Sequence, residues 1–505
     1  MKNKIIIAFI GLMGLFVFNA CDDYLDVNFD PSNPQVAEGF AILPPMLSQM
    51  ARGISFDSRF AGQYTQNWAL VSANNAWDLH GYVPASDAGG EIWRSHYWSI
   101  GKNVDIIIEQ ATAKQQWDYV GVAKAIRAWS WQMVTDVHGE VIFKQAWEPN
   151  RYVFDFDSQQ DVYAEVVRLS NEALADLNRT DGNVSTANLG RGDLTYKGDR
   201  TKWIKFVYAV LAHNAHRLTN KSTYDPNKVI EYCDKSLASN ADNFNVPHAG
   251  TNSLDGNFYG PTRNNLGSFR PTTYILNLLN GTVFNGVVDP RMPLMITASA
   301  DGTFRGVVAG KGDPTTSNTD PKRIPNMWGA NPSAAITTIT GKYFFTDKAD
   351  HPLITYSEMQ FIKAEAAFIK GDKALAYDAY KKGVIAHMDL AKVTAANRDA
   401  YMASAAVPQT ADALKLSDIM LQKYIACWVI GAVETWADMR RYNYSTDVYT
   451  GFTPPTTLYI DNSGKLAQRF RPRFNSEYVW NRESLNTIGG NDANYHTKPV
   501  WFTEK

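Results

Sequence analysis

The sequence predicts a mostly α protein of tetratricopeptide-like helix pairs, with a loop-rich insertion and a few short strands. Three observations lead there. Apolar residues recur at three- and four-residue spacings through about 95–113, 117–136, 158–178, 199–219, 227–239, 355–370, 373–389 and 415–441, the period of a helix with one buried face. Two of these stretches meet at Lys370-Gly371-Asp372, with Ala364, Ala376, Tyr380 and Gly383 at the offsets a tetratricopeptide repeat requires. Between about 245 and 350 the helical period stops, and Gly, Pro, Asn, Thr and Ser take over.

Along the chain, residues 1–20 differ from the rest. Lys2 and Lys4 precede an apolar run from Ile5 to Phe18, and Asn19-Ala20 leads to Cys21, the layout of a secretory signal. The run is shorter than the ~20 residues a spanning helix needs. Cys21 looks like the acceptor of a bacterial lipobox, with Phe18 where an aliphatic residue is usual. Acylation there gives a stable anchor; a cleaved, soluble secreted chain is the other reading. Residues 21–39, rich in Asp, Asn and Pro, read as a tether, and 40–505 as a single domain. Within it, about 40–244 and 351–442 form the helical scaffold, about 245–350 the insertion, and 443–505 an irregular C-terminal region.

The facing small residues of the 356–388 unit let paired helices approach, and Tyr380 fills the space beside them. The 117–136 and 158–219 stretches predict further pairs with weaker matches, so the array is degenerate. Phe258, Tyr259, Phe269, Tyr274, Trp328 and Tyr343 to Phe345 argue that the insertion is ordered, because disordered segments are poor in aromatics. Asp461-Asn462-Ser463-Gly464 lies between two short β-prone runs, as a hairpin turn would. Cys233 and Cys427 sit in helical stretches and read as small buried hydrophobes, with no spacing that marks a disulfide.

With 49 Lys and Arg against 51 Asp and Glu, there is no basic field for nucleic acid. Aromatic residues make up 12%, among them 14 Trp and 25 Tyr, which suits packing and the recognition of amphipathic ligands. No catalytic constellation emerges, and no enzyme activity is expected. His213 and His216 share a helix face without a neighbouring carboxylate in sequence and read as packing residues. Gly310-Lys311 lacks phosphate-loop spacing, and Arg191-Gly192-Asp193 reads as a turn. The 158–161 region and the Asp461 turn carry carboxylates and amides suited to calcium, though neither forms a full ligand loop, so a structural calcium stays open and no other cofactor is expected.

One segment combines flat apolar faces with bidentate polar groups: Tyr64, Trp68, Trp77, Asp78, His80 and Tyr82, interleaved with Asn67, Asn74 and Asn75. A pyranose lays its C–H face on an aromatic ring while its hydroxyls seek Asp, Asn or Arg, each stacked ring adding about 1 kcal/mol beyond area burial. The candidate ligand residues are therefore Trp68, Asn74, Asn75, Trp77, Asp78 and Tyr82, with Tyr259, Arg323 and Trp328 from the insertion as a second wall. The same aromatics equally suit the helical core.

Several blocks in order resemble the SusD/RagB family of nutrient-binding outer-membrane lipoproteins, and its SusD-like starch-binding branch in particular. They are Cys21 to Asp26 with Asp30 to Pro34, Ala125 to Trp129 with Asp136 to Val141, Tyr196 to Asp199 with Lys202-Trp203, and Asp289 to Arg291. Ser357 to Met359, Lys363 to Ala366, Gln422 to Ala426 and Glu434 to Arg441 follow. Ile142 and Phe143 stand where the family commonly has Pro-Tyr.

The resemblance implies a lipid-anchored, surface-exposed outer-membrane protein that captures oligosaccharides and passes them to a SusC-like TonB-dependent transporter. Peptide capture is the alternative within the family, and a surface glycoside hydrolase a more distant one. Asp22 and Asp23 are similar to the acidic stretch of surface-exposed lipoproteins in such bacteria. The matched blocks imply scaffold and carry no ligand residues.

Overall fold

The computed structural model describes residues 37–83, 85–330 and 339–505; Cys21 and the leader before it lie outside them. Helices dominate, in agreement with the sequence. Those that build the frame and the site are α1 (Gly39–Tyr64), α2 (Glu91–Arg94), α3 (Lys102–Ala113), α4 (Trp117–His138), α5 (Gln159–Leu177), α6 (Arg200–His216) and α7 (Pro226–Lys235), then α8 (Tyr356–Lys370), α9 (Lys373–Leu390), α10 (Leu416–Cys427) and α11 (Ala432–Arg441). Side chains written into the sequence set their starts. Ser158 accepts from Asp161 N at 3.1 Å to begin α5, Asp199 accepts from Thr201 N at 2.9 Å to begin α6, and Thr355 with Glu358 forms a capping box on α8.

Successive helices from α3 to α9 pack side by side, α10 lies against α8, and α11 returns to pack on α1, so the array closes on its own first helix. The α8–α9 pair shows why the repeat offsets matter. Gly371 takes the left-handed conformation (φ 87°) that ends α8, and Asp372 caps α9 by accepting from Leu375 N at 3.1 Å. Ala364 and Ala376 are fully buried between the helices; a Cβ on Gly383 would stand 2.9 Å from the Phe361 ring, so only glycine lets them approach this closely.

Two predictions are corrected. The 415–441 stretch is two helices, broken at Trp428–Gly431, where Val429 has φ 76° and the Trp428 indole donates to Asn67 O at 2.8 Å. A tertiary bond there outweighs the local helical period. The 461–464 turn joins no strands: Ile460–Asn462 is a 3-10 turn whose Asn462 amide donates to His80 O at 2.8 Å and Lys465 O at 2.9 Å, pinning it to the core. Arg191-Gly192-Asp193 is a turn, its buried Asp193 accepting from Tyr196 N at 2.9 Å and from the Trp203 indole at 2.8 Å. Cys233 and Cys427 are both free and buried.

Two small antiparallel pairs tie the insertion to the helices. β1 (Trp68–Leu70) pairs with β3 (Phe269–Pro271), Ala69 opposite Arg270, and β2 (Phe244–Val246) pairs with β4 (His351–Ile354).

Candidate functional site

The β1–β3 pairing brings the two expected ligand walls together, but inside the protein. Trp68 is 0% exposed; its indole donates to Arg59 O at 3.0 Å and its ring meets Tyr259 edge-on at 5.9 Å. Tyr259 is equally buried, and the Trp328 indole donates to Tyr259 O at 2.7 Å. Trp77 is buried against Phe60 and Tyr82, each ring centroid 4.5 Å away, and the buried Tyr82 hydroxyl donates to Ala88 O. Asp78 accepts from Leu70 N at 3.1 Å, and burial pushes its carboxyl up to about 7.

The expectation that these rings face a ligand is therefore corrected: each finds apolar neighbours, and the indoles of Trp68 and Trp328 and the hydroxyl of Tyr82 reach backbone carbonyls, so the interior satisfies both ends. Of the other candidates, Asn74 is exposed, Asn75 accepts from Trp77 N at 3.0 Å, and Arg323 is turned onto Asp313 at 3.5 Å.

Exposed aromatics gather elsewhere, around a cleft of about 520 Å³. Its floor is the buried Trp93 and Ile142; half-buried Tyr97, Ala146, Trp147 and Phe154 form walls. Trp98 stands on its rim at 78% exposure. Two flanking segments carry further open rings. Tyr152, 83% exposed, precedes Phe154 by two residues, and Trp480, 75% exposed, adjoins Asn481, whose amide bonds both Phe154 N (3.0 Å) and Phe154 O (2.9 Å).

Local structure explains this presentation. Between α2 and α3 the backbone widens into a π-helical segment, Ser95–Gly101, a distortion frequent at functional sites. Trp93 and Tyr97, four residues apart, turn inward with rings 4.9 Å apart; Trp98, one residue on, points away. The N-terminus of α2 is fixed by the buried Asp57 of α1, which accepts from Ile92 N at 2.7 Å, and burial raises that carboxyl to about 8. Trp147 donates to Tyr97 O at 2.9 Å and packs so closely on Gly101 that a Cβ there would lie 2.5 Å from its indole nitrogen.

Charges in the cleft are matched within the protein. Arg94 pairs with Glu91 at 3.0 Å and Arg473 with Asp87 at 2.7 Å. Glu477, nearly buried, accepts from the Asn481 amide at 3.0 Å, and desolvation raises its pKa above the usual carboxylate range. Between these paired charges the open aromatic faces suit binding by stacking.

Away from the cleft, α8 supplies the carboxylates that local sequence did not show beside the two histidines. Glu358 lies 2.6 Å from His213, and Glu365 2.8 Å from His216. His213, Glu358 and Glu434 converge closely enough to suit a metal, but Glu434 already meets Lys423 Nζ at 2.8 Å and Arg217 Nη1 at 3.0 Å. Lys423 also pairs with Asp438 at 2.7 Å, and Arg441 joins Asp438 to Glu365. This is an ion-paired frame linking α6, α8, α10 and α11. At the sites weighed for calcium, Asp161 is held by Lys144 at 2.6 Å.

The helical-repeat frame thus carries an aromatic cleft built from α2, the π-helical segment after it and two segments later in the chain. The chain belongs to the SusD-like family described as starch-binding and associating with the outer membrane, which it matches over residues 31–471. Its fold is similar to that of a SusD/RagB family protein from Bacteroides thetaiotaomicron, at TM-score 0.71 and 22% identity over 93% of this chain and 99% of that one. It is also similar to a chitin-binding SusD homolog from Flavobacterium johnsoniae, at TM-score 0.72 and 18% identity over 92% and 98%. Among curated proteins none matches by sequence. No helix among the described residues is long and apolar enough to cross a membrane.

Proposed function

We propose that this protein captures oligosaccharides at the cell surface, anchored to the outer membrane through a lipidated Cys21, and hands them to a SusC-like TonB-dependent transporter. Binding, not chemistry, is its task. The observation that carries the ligand class is the set of open rings around one cleft: Trp98 on its rim, Tyr152 and Trp480 in its flanking segments. Stacked rings each contribute about 1 kcal/mol, so several sugar units must bind together for useful affinity. Family membership supports the outer-membrane setting.

Calorimetry of the protein with a panel of oligosaccharides and peptides tests the ligand. Saturable binding of at least one glycan, weakened in Trp98→Ala, is expected; binding of peptides alone moves the protein to peptide capture. Fractionation of cells producing Cys21→Ala tests the anchor, with loss from the outer membrane expected.

A further inference from the structure

We propose that the cleft selects glycans carrying a small apolar acyl group, N-acetyl or O-acetyl, and seats that group on the floor formed by Trp93 and Ile142. This rests on the glycan-binding reading above and adds the substituent recognised.

The argument begins with the polar groups that line the cleft, which are already engaged. The Tyr97 hydroxyl donates to Ile142 O at 2.7 Å and the Trp147 indole to Tyr97 O at 2.9 Å. Arg94, Arg473 and Glu477 have Glu91, Asp87 and Asn481 as partners. An unsubstituted pyranose has hydroxyls around its edge, and sinking that edge among Trp93, Ile142, Ala146 and Phe154 would strip water from them with few partners in return. An acyl methyl has no such cost and gains by burial.

The volume, about 520 Å³, has room for a substituent below a sugar ring that rests against Trp98. Ligand charge is disfavoured because each arginine on the walls is neutralised in place.

Calorimetry with two matched pairs tests this. One pair is fully N-acetylated chitotetraose against cellotetraose; the other is acetylated xylo-oligosaccharide against the same material after saponification. The acylated member of at least one pair is expected to bind about tenfold tighter, and the pair that shows it identifies the N- or O-linked source. Ala146→Leu, which narrows the cleft, is expected to remove most of that preference, the acylated member losing more affinity than its unacylated partner. Equal binding within both pairs, with Trp98→Ala weakening all four ligands, overturns the inference and leaves glycan capture standing. The same holds if neither pair binds while unacylated glycans of a wider panel do. Failure of every glycan overturns both.

Discussion

Trp68 and Trp98 are the same side chain in opposite settings, one wholly enclosed against Tyr259 and the other 78% exposed beside a cleft. Trp68→Ala is expected to destabilise the fold by about 3–5 kcal/mol, the cost of emptying a buried indole site, measured by denaturant unfolding. Trp98→Ala is expected to shift stability by no more than about 0.5 kcal/mol, while weakening glycan binding about fivefold. An unfolding midpoint that falls as far for Trp98→Ala as for Trp68→Ala would refute the distinction. Residue type alone could not separate the two, because both flank polar residues in stretches rich in aromatics. A partial signal was present at Trp98: Trp93 and Tyr97 share one helical face, and a third ring one position later falls off it. Tyr152 and Trp480 carried no such signal, since their exposure follows from how two distant loops meet at Asn481.

At the scale of elements, most helices were legible because their apolar spacing and their caps, such as Ser158, Asp199 and Asp372, agree. Exceptions arise where tertiary bonds outweigh local pattern. Pro44 and Pro45 remove two backbone donors from α1, yet burial of Leu43, Met46 and Leu47 keeps it helical, and no sequence period announced all 26 of its residues. The π-helical segment was likewise unannounced. Its contact with Trp147 makes a specific prediction: Gly101→Ala forces the indole away from 2.5 Å, so glycan affinity falls although no ligand-facing residue has changed. Unchanged affinity in titration, with Trp147 unmoved in a solved variant, would reject that link. In the buried frame, Lys423→Met leaves Glu434 and Asp438 short of a cation and is expected to cost about 3–5 kcal/mol by chemical denaturation. A cost below 1 kcal/mol would mean that Arg217 and Arg441 suffice.

Across the whole molecule, burial shapes the response to pH. Eight of the nine histidines are held below their ordinary value of 6.5, with desolvation the largest cause for each; His80, His138 and His351 reach about 3 and His496 about 4. Between about 4 and 6.5 the unfolded chain binds more protons at these groups, so their contribution is full above 6.5 and is lost as pH falls. Asp57 and Asp78, raised to about 8 and about 7, act oppositely, their contribution declining as pH climbs through those values. The eight histidines outnumber the four carboxyls that burial raises, Asp57, Asp78, Asp418 and Glu477, so Tm should peak near pH 6.5, drop steeply toward 4.5 and decline gently toward 8.5 in scanning calorimetry. A Tm that rises on acidification would contradict this. The class of fold was readable at this scale because helix pairing repeats along the chain. The cleft was not, because its parts are remote in sequence.

That remoteness governs when the protein can work. Segments 91–98, 142–154 and 473–480, far apart in the chain, meet at one cleft in the folded protein. A polypeptide clipped before residue 473 would lack Arg473, Ser476 and Glu477, one side of the cleft. An intact cleft thus reports that the last of its three segments has found its place.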